Sequence, residues 1–197
     1  MDITQKGILI LIKSAVTSQG CTLPDGFSLD DAMPVILKHR IVSLAYAGAV
    51  NCGLSRSDTA MQKLLFLSGK LMISSERQMT AIQNVLSAFS ENGIDHMPVK
   101  GYVMKKRYPS CDLRYMGDAD ILVRQEQYEK IVPIIEQMGF ELEEECDHVY
   151  AWKSKELFLE LHVKLIPSSE RLMFDYFGDG WRFATHKNGF CYAMSER

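Results

Sequence analysis

Two aspartates separated by a single residue open an apolar segment near the middle of the chain. Asp118 and Asp120 lead into Ile121-Leu122-Val123, which has the character of a buried strand. Because side chains alternate between the two faces of a strand, both carboxylates should project side by side. Neighbouring buried anions are costly without a cation between them, and oxygen-only ligands suit Mg²⁺ or Mn²⁺. The sequence therefore predicts a strand over Asp118–Val123 with a metal site at its beginning.

The residues before this strand are predicted to form a shorter strand, a turn and a basic helix. Met97-Pro98-Val99 is the predicted strand, Lys100-Gly101 the turn, and a helix follows to about Tyr108. Gly117 then leads directly into the paired aspartates.

The residues after the paired aspartates alternate between helical and extended patterns. The predicted helix over Gln125–Met138 contains Pro133, which should kink it, and Gly139 is a typical helix stop. Glu160 and His162 share one face of a later strand, opposite its leucines. The predicted strands are Phe140–Glu144, Val149–Lys153 and Leu157–Val163, followed by a hairpin of Trp181–Thr185 and Gly189–Ala193 around Lys187-Asn188.

The first 93 residues are predicted to be helical. Apolar periodicity and capping signals give helices over Ile3–Val16, after Ser28, over Ile41–Val50, and from Ser55–Asp58 to Glu91. The last helix carries a stripe with a seven-residue repeat, which is more typical of a core than of a contact with a second chain. A homodimer through these helices is the alternative interpretation. The stripe consists of Leu65, Met72, Met79 and Leu86, with Ile82 and Phe89 between them.

Composition excludes several classes of protein. The net charge of −3 argues against broad electrostatic binding of nucleic acid. The five cysteines are scattered without a Cys-x-x-Cys pair, so neither a zinc site nor a disulfide framework is indicated, and a reduced, cytoplasmic protein is expected. The apolar run from Ile8 to Ile12 ends at Lys13 and is too short to span a membrane.

The order of these motifs resembles a known family. Lys100-Gly101, the stretch from Arg114 to Val123 and Glu160-Leu161-His162 together are similar to the uncharacterised nucleotidyltransferase family within the DNA polymerase beta-like nucleotidyltransferase superfamily. The resemblance covers about residues 94–166. It implies transfer of a nucleoside monophosphate from a nucleoside triphosphate to a hydroxyl of an acceptor, with release of pyrophosphate. The acceptor, whether a small molecule, a protein or RNA, stays open.

The resemblance also implies roles for individual residues. Asp118, Asp120 and Glu160 take the positions of the three acids that hold divalent ions, Mg²⁺ or Mn²⁺, and so form the catalytic set. The triphosphate is expected at a glycine turn after the first strand, where Gly101 lets backbone amides approach phosphate oxygens. Lys100, Arg114 and Gly117 complete the expected nucleotide contacts. His162 is interpreted as a residue that orients the acids rather than as a metal ligand, because hard ions prefer oxygen.

We therefore expect an α+β protein in which a helical region, residues 1–93, precedes a nucleotidyltransferase-like core, residues 94–197. The core should contain a small mixed sheet with helices against one face. Ser195-Glu196-Arg197 looks like a helix start, so we expect the core to be truncated and the chain to be a fragment of a longer protein. Two alternatives to the nucleotidyltransferase remain: a non-catalytic nucleotide-binding or regulatory module on the same fold, and an Asp-x-Asp glycosyltransferase.

Overall fold

Four helices precede the first strand, as the sequence predicts. The computed structural model describes residues 1–195, so most of the predicted helix start at Ser195-Glu196-Arg197 lies outside the described residues. The helices are α1 (Ile3–Thr17), α2 (Leu29–Lys38), α3 (Val42–Asn51), α4 (Thr59–Glu91), α5 (Lys100–Lys105), α6 (Tyr128–Gln137) and α7 (Arg171–Phe177).

Polar side chains cap the helices where the local sequence provides them. Asp2 accepts a hydrogen bond from the Gln5 backbone N–H at 2.7 Å and begins α1. Ser28 accepts one from the Asp31 N–H at 3.2 Å, which confirms the predicted start of α2. Asp58 accepts one from the Ala60 N–H at 2.8 Å at the start of α4. These bonds satisfy N–H groups that have no partner within the helix.

Contacts between residues divide the chain into two units. The N-terminal unit comprises Met1–Glu76 and Met104–Tyr115, and the sheet unit comprises Arg77–Val103 and the chain from Met116 onward. Helices α4 and α5 therefore contribute residues to both units. The boundary between residues 93 and 94 that we infer from the sequence remains a proposal.

The N-terminal unit has its own apolar core, in which α3 packs closely on α1. Gly48 is the point of closest approach, since a Cβ built there would lie 2.0 Å from the Leu11 carbonyl oxygen. Only glycine allows this backbone contact. The buried apolar residues around it are Ile8, Leu11, Leu29, Ala32, Met33, Ile36, Val42, Ala45, Ala49, Ala60, Met61 and Leu64.

The sheet unit contains a seven-stranded mixed sheet in the order β3-β4-β5-β2-β1-β7-β6. The parallel pairs are β2 with β5 and β1 with β7, and the other neighbours are antiparallel. The α+β fold with a helical N-terminal region is confirmed. The strands are β1 (His96–Pro98), β2 (Ala119–Val123), β3 (Glu141–Glu145), β4 (Val149–Lys153), β5 (Phe158–His162), β6 (Ala184–Asn188) and β7 (Cys191–Met194).

The closing hairpin turns two residues later than predicted. Asn188 pairs with Cys191, and Gly189 occupies the turn with φ +52° rather than Lys187-Asn188. Glycine adopts this left-handed conformation at little steric cost, so the turn forms there.

The two faces of the sheet differ in character. Alternate residues of β2 and β5, including Ile121 and Leu161, are buried against the part of α4 from Arg77 onward and against α6. The intervening residues, including Asp120 and Glu160, project from the opposite face. On that opposite face, Met97, Val99 and Leu122 pack with Trp181 in a smaller apolar cluster. One face is therefore covered by α4 and α6, and the other carries the smaller apolar cluster together with the acidic side chains.

The apolar stripe of α4 does not behave as a single surface. Ile82 and Phe89 are completely buried in the core of the sheet unit, where Met79 and Leu86 also pack. Leu65 and Met72, which belong to the N-terminal unit, are about half exposed. The core interpretation therefore holds for the second half of the stripe, and a homodimer through the first half remains a proposal.

None of the helices in residues 1–195 combines the length and the apolar character needed to cross a membrane. The thiols of Cys21, Cys52, Cys111 and Cys146 are free.

Candidate active site

Asp120 and Glu160 lie side by side in the centre of the sheet. Strands β2 and β5 are parallel neighbours, and their register places Asp120 directly opposite Glu160. Asp120 is only 2% exposed, whereas a quarter of the Glu160 side chain is accessible. The site is therefore buried on the Asp120 side and open on the Glu160 side.

His162 contacts both carboxylates with one ring nitrogen. Its Nε2 lies 3.0 Å from Oδ1 of Asp120 and 3.2 Å from Oε2 of Glu160. Because ionised carboxylates only accept hydrogen bonds, Nε2 must carry a proton in this arrangement. The other nitrogen, Nδ1, is buried and has no hydrogen-bond partner within residues 1–195.

Lys100 supplies a second positive group to Asp120. Its ammonium lies 2.6 Å from Asp120 Oδ1, although 57% of the lysine side chain is exposed. Lys100 has φ +45°, a left-handed conformation that is uncommon for a residue with a Cβ. Lys100 is the first residue of α5, two residues after the end of β1, so the predicted turn at Lys100-Gly101 lies in the first turn of that helix.

The electrostatic environment separates the two carboxyl groups. Burial alone would raise the pKa of Asp120, but hydrogen bonds from His162 and Lys100 outweigh it and hold the pKa below its ordinary value. Burial, and then the neighbouring Asp120, raise the pKa of Glu160. One acid is thus strongly held as an anion, and the other takes up a proton more readily.

Asp118 occupies the residue immediately before β2 and is half-buried. Its charge adds to the factors that raise the pKa of Glu160, so the two carboxylates are close enough to interact. In the group of possible ligands that contains Asp120, the atoms that lie within 4.8 Å of one another belong to Asp120, Glu160 and His162. The role of Asp118 as a metal ligand remains a prediction.

Gly101 packs against the residues that precede β2. A Cβ built on Gly101 would lie 3.0 Å from Cγ of Met116 and 3.6 Å from the backbone oxygen of Asp118. Gly117 is exposed between those two residues. The turn after β1 and the entry to β2 are therefore neighbours within the sheet unit.

Arg114 belongs to the N-terminal unit. Its backbone carbonyl accepts a hydrogen bond from the buried Lys105 ammonium at 2.8 Å. Its own Nε is buried without a hydrogen-bond partner among the described residues. The structure thus shows one hydrogen bond to the Arg114 backbone, and the contact of its side chain with phosphate remains a prediction.

A second group of possible metal ligands lies at the start of β4. Cys146, Asp147 and His148 also offer ligand atoms within 4.8 Å of one another. The Asp147 carboxylate lies 2.9 Å from His148 Nδ1, and its other oxygen accepts the Ser168 N–H at 3.2 Å. The two aspartate oxygens are therefore already engaged within the chain.

His162 contacts both acids directly, which its position in the sequence does not by itself predict. Its spacing of two from Glu160 on a strand places both side chains on one face, and this spacing is visible in the sequence. The contact with Asp120 requires the pairing of β2 with β5, which the spacing does not specify.

Residues 25–195 match the family described as uncharacterised nucleotidyltransferase. The chain belongs to this family. The match includes both aspartates, Glu160 and the turn at Lys100-Gly101, as well as α2, α3 and α4 of the helical region. Family membership thus extends well beyond the segment that carries the sequence resemblance.

No curated protein matches the sequence of this nucleotidyltransferase family member. Among solved structures, a solution structure of the antibiotic-resistance factor ANT(2'')-Ia aligns with TM-score 0.40 and 20% identity, covering 45% of this chain and 47% of that chain. A crystal structure of ANT(2'')-Ia in complex with adenylyl-2''-tobramycin aligns with TM-score 0.38 and 20% identity, covering 43% and 48%. The chain therefore spans about half the length of these structures.

Proposed function

We propose that this protein transfers a nucleoside monophosphate from a nucleoside triphosphate to a hydroxyl group of an acceptor. The proposal rests on the position of Asp120 opposite Glu160, on the face of the sheet opposite α4 and α6. The family supports the reaction class, and this pair of acids supports a divalent ion, Mg²⁺ or Mn²⁺, as the cofactor.

The donor set fits such an ion. Carboxylate oxygens are the preferred ligands of Mg²⁺ and Mn²⁺, and two acids in a partly buried site need positive charge between them. Asp118, Asp120 and Glu160 are the proposed ligands. The bound ion would neutralise charge on the phosphates during the reaction.

Glu160 is the proposed proton acceptor. The acceptor oxygen attacks the α-phosphorus, its proton passes to the Glu160 carboxylate, and the bond from the α-phosphorus to the pyrophosphate oxygen breaks. A quarter of the Glu160 side chain is accessible, which supports this role, and the bound ion is the alternative that would help the hydroxyl lose its proton. Pyrophosphate leaves with the electron pair of the broken bond.

The turn after β1 is the proposed place for the triphosphate. Lys100 supplies a mobile positive charge next to Asp120, and Gly101 presents a backbone without a side chain. Arg114 and Gly117 are further proposed contacts. A cytoplasmic location is also part of the proposal and is supported by the free thiols of Cys21, Cys52, Cys111 and Cys146.

Calorimetry with ATP, GTP, CTP and UTP, each with and without Mg²⁺, tests the metal role. We expect Mg²⁺-dependent binding of at least one nucleotide to wild-type protein, and loss of that binding in the double variant Asp118→Asn/Asp120→Asn. The matched control is Glu144→Gln/Glu145→Gln, which removes two exposed charges from β3. Retention of Mg²⁺-dependent binding in the aspartate variant would remove the proposed role of these acids.

A binding module on the same fold is the second candidate function. Family membership alone is equally compatible with it, because the fold can hold a nucleotide without transferring it. Incubation with α-labelled nucleotides and a cell extract separates the two candidates. Label transferred to an acceptor supports the enzyme, and nucleotide binding without any transfer supports the module.

The glycosyltransferase alternative has less support. An Asp-x-Asp enzyme of that kind usually begins with alternating strands and helices around a parallel sheet. Here four helices come first and most strand pairs are antiparallel. Hydrolysis or transfer from a nucleotide sugar would favour this alternative.

A further inference from the structure

The imidazole of His162 is placed as a ligand would be placed. Its Nε2 lies 3.0 Å from an Asp120 oxygen and 3.2 Å from a Glu160 oxygen. An ion with six ligands at about 2.1 Å holds neighbouring ligand atoms about 3.0 Å apart. Nε2 therefore lies at the spacing of an adjacent ligand from one oxygen of each acid, and the three ligand atoms lie within 4.8 Å of one another.

The position of His162 is fixed by the strand that carries it. His162 and Glu160 are two residues apart on β5 and project from the same face, and the β2 register places Asp120 opposite Glu160. His162 is only 4% exposed, so the surrounding residues restrict rotation of its ring. Nε2 therefore keeps facing the carboxylates, whether or not an ion is bound.

The ring can exchange a proton for an ion at that nitrogen. Without an ion, Nε2–H donates to the carboxylates. When the proton resides on Nδ1 instead, the Nε2 lone pair points at the space between the two acids. Nδ1 is buried and has no hydrogen-bond partner within residues 1–195, so no hydrogen bond to Nδ1 fixes which ring nitrogen carries the proton.

From this geometry we infer that His162 is a metal ligand, and that the site therefore selects Mn²⁺ over Mg²⁺. The inference rests on the metal role in the proposed function and adds a nitrogen donor to the three proposed carboxylates. An imidazole nitrogen favours first-row transition ions, whereas Mg²⁺ prefers oxygen donors and water. The proposed carboxylates together with one imidazole form a mixed set that discriminates between these ions.

Electron paramagnetic resonance of the full chain with Mn²⁺ tests the inference. Pulsed measurements detect hyperfine coupling between Mn²⁺ and a coordinated ¹⁴N nucleus, a signal that orientation of the acids alone would not produce. We expect this coupling in wild-type protein and its loss in His162→Gln, together with about a ten-fold loss of Mn²⁺ affinity. Mg²⁺ affinity, measured by competition, should change by less than about two-fold.

His148→Gln is the matched control. Its ring centroid lies 6.3 Å from that of His162, and it belongs to the other group of possible ligands. The control should retain both the ¹⁴N coupling and the Mn²⁺ affinity of the wild type. If His162→Gln does not fold, ¹⁵N-histidine can be incorporated into the His148→Gln protein. The ¹⁴N coupling should then be replaced by a ¹⁵N coupling.

The possible failures are distinguishable. Mn²⁺ bound without nitrogen coupling, or coupling that survives in His162→Gln, would overturn the role of His162 and leave the carboxylate site in place. Coupling that disappears in His148→Gln would assign the nitrogen to the second group and would also overturn the inference. No bound ion at all would overturn the metal role in the proposed function as well.

Discussion

The ammonium of Lys100 and the carboxylate of Asp120 are 2.6 Å apart, and the same oxygen accepts a hydrogen bond from His162 at 3.0 Å. Asp120 Oδ1 therefore accepts hydrogen bonds from both the Lys100 ammonium and the His162 ring. These two donors occupy positions around the oxygen where a metal ion would bind. Lys100 is mostly exposed and flexible at its end, whereas Asp120 is buried. The lysine is therefore the group that can leave when an ion arrives.

Replacement of Lys100 by methionine should strengthen divalent-ion binding in the absence of nucleotide. The variant removes a competing cation and its repulsion of the ion, and an ion pair with one exposed partner contributes at most about 1 kcal/mol. We expect ion affinity to rise by up to about five-fold. Isothermal titration calorimetry with Mn²⁺ measures this change in affinity. The same variant should bind the metal–nucleotide complex more weakly if Lys100 also contacts the phosphates.

Lys153→Met is the control for this substitution. Lys153 has the same exposed fraction as Lys100, 57%, and lies 3.1 Å from Glu143 on the edge strand β3. Its replacement should leave ion affinity unchanged. Weaker ion binding in Lys100→Met than in wild type would mean that the lysine supports the site rather than competes for it.

Two helical glycines of the N-terminal unit should respond to alanine with opposite signs. In Gly48→Ala the new methyl group would lie 2.0 Å from a backbone oxygen of Leu11, so α1 and α3 must separate. Overpacking of this kind costs about 1–3 kcal/mol, and a backbone contact belongs at the upper end. In Gly69→Ala the new methyl group meets nothing within 4 Å, and the helix gains up to about 1 kcal/mol.

Urea unfolding of both variants, monitored by circular dichroism, measures these free energies. Because both substitutions replace glycine by alanine inside a helix, each serves as the control for the other. Equal changes in the two variants would contradict the close approach of α1 and α3 at Gly48.

The local patterns of the sequence specify most elements but not their neighbours. Alternation predicts β2 and places Asp120 on the face opposite Ile121, because a strand has a two-residue period. The pairing of Asp120 with Glu160, forty positions away, depends on strand order, which no local period encodes. The same holds for the parallel contact of β1 with β7, at His96 and Cys191.

Apolar periodicity also does not specify which part of the chain packs against a helix. Leu65 and Met79 occupy equivalent positions of one seven-residue repeat, yet Leu65 is half exposed and Met79 packs in the sheet unit. The repeat reports which side of α4 is apolar and not what covers it. Helix α7, Arg171–Phe177, was not predicted because five of its seven residues are apolar or aromatic, so the sequence shows no helical period there.

His96 gives the sheet unit a stability that depends on pH. It is 1% exposed on β1, its Nδ1 lies 2.9 Å from the Ile94 carbonyl, and its ring contacts the edge of Phe89. Burial lowers the pKa of His96 below 6.5, against smaller opposing effects of the Ile94 hydrogen bond and of Asp95. Above pH 6.5 the ring is neutral in the folded and unfolded chains, so it causes no dependence on pH there.

As the pH falls below 6.5, only the unfolded chain readily takes up this proton. The free energy of unfolding should therefore decrease, by at most about 1.4 kcal/mol per pH unit, until the pH reaches the lowered pKa of the folded state. In His96→Gln this contribution is absent, so the variant should show a shallower decrease between pH 6.5 and 5 than the wild type. Urea unfolding across this range measures both slopes, and His39→Gln, at an exposed histidine, should retain the wild-type slope. A His96→Gln slope equal to that of the wild type would show that His96 takes up its proton equally in the folded and unfolded chains.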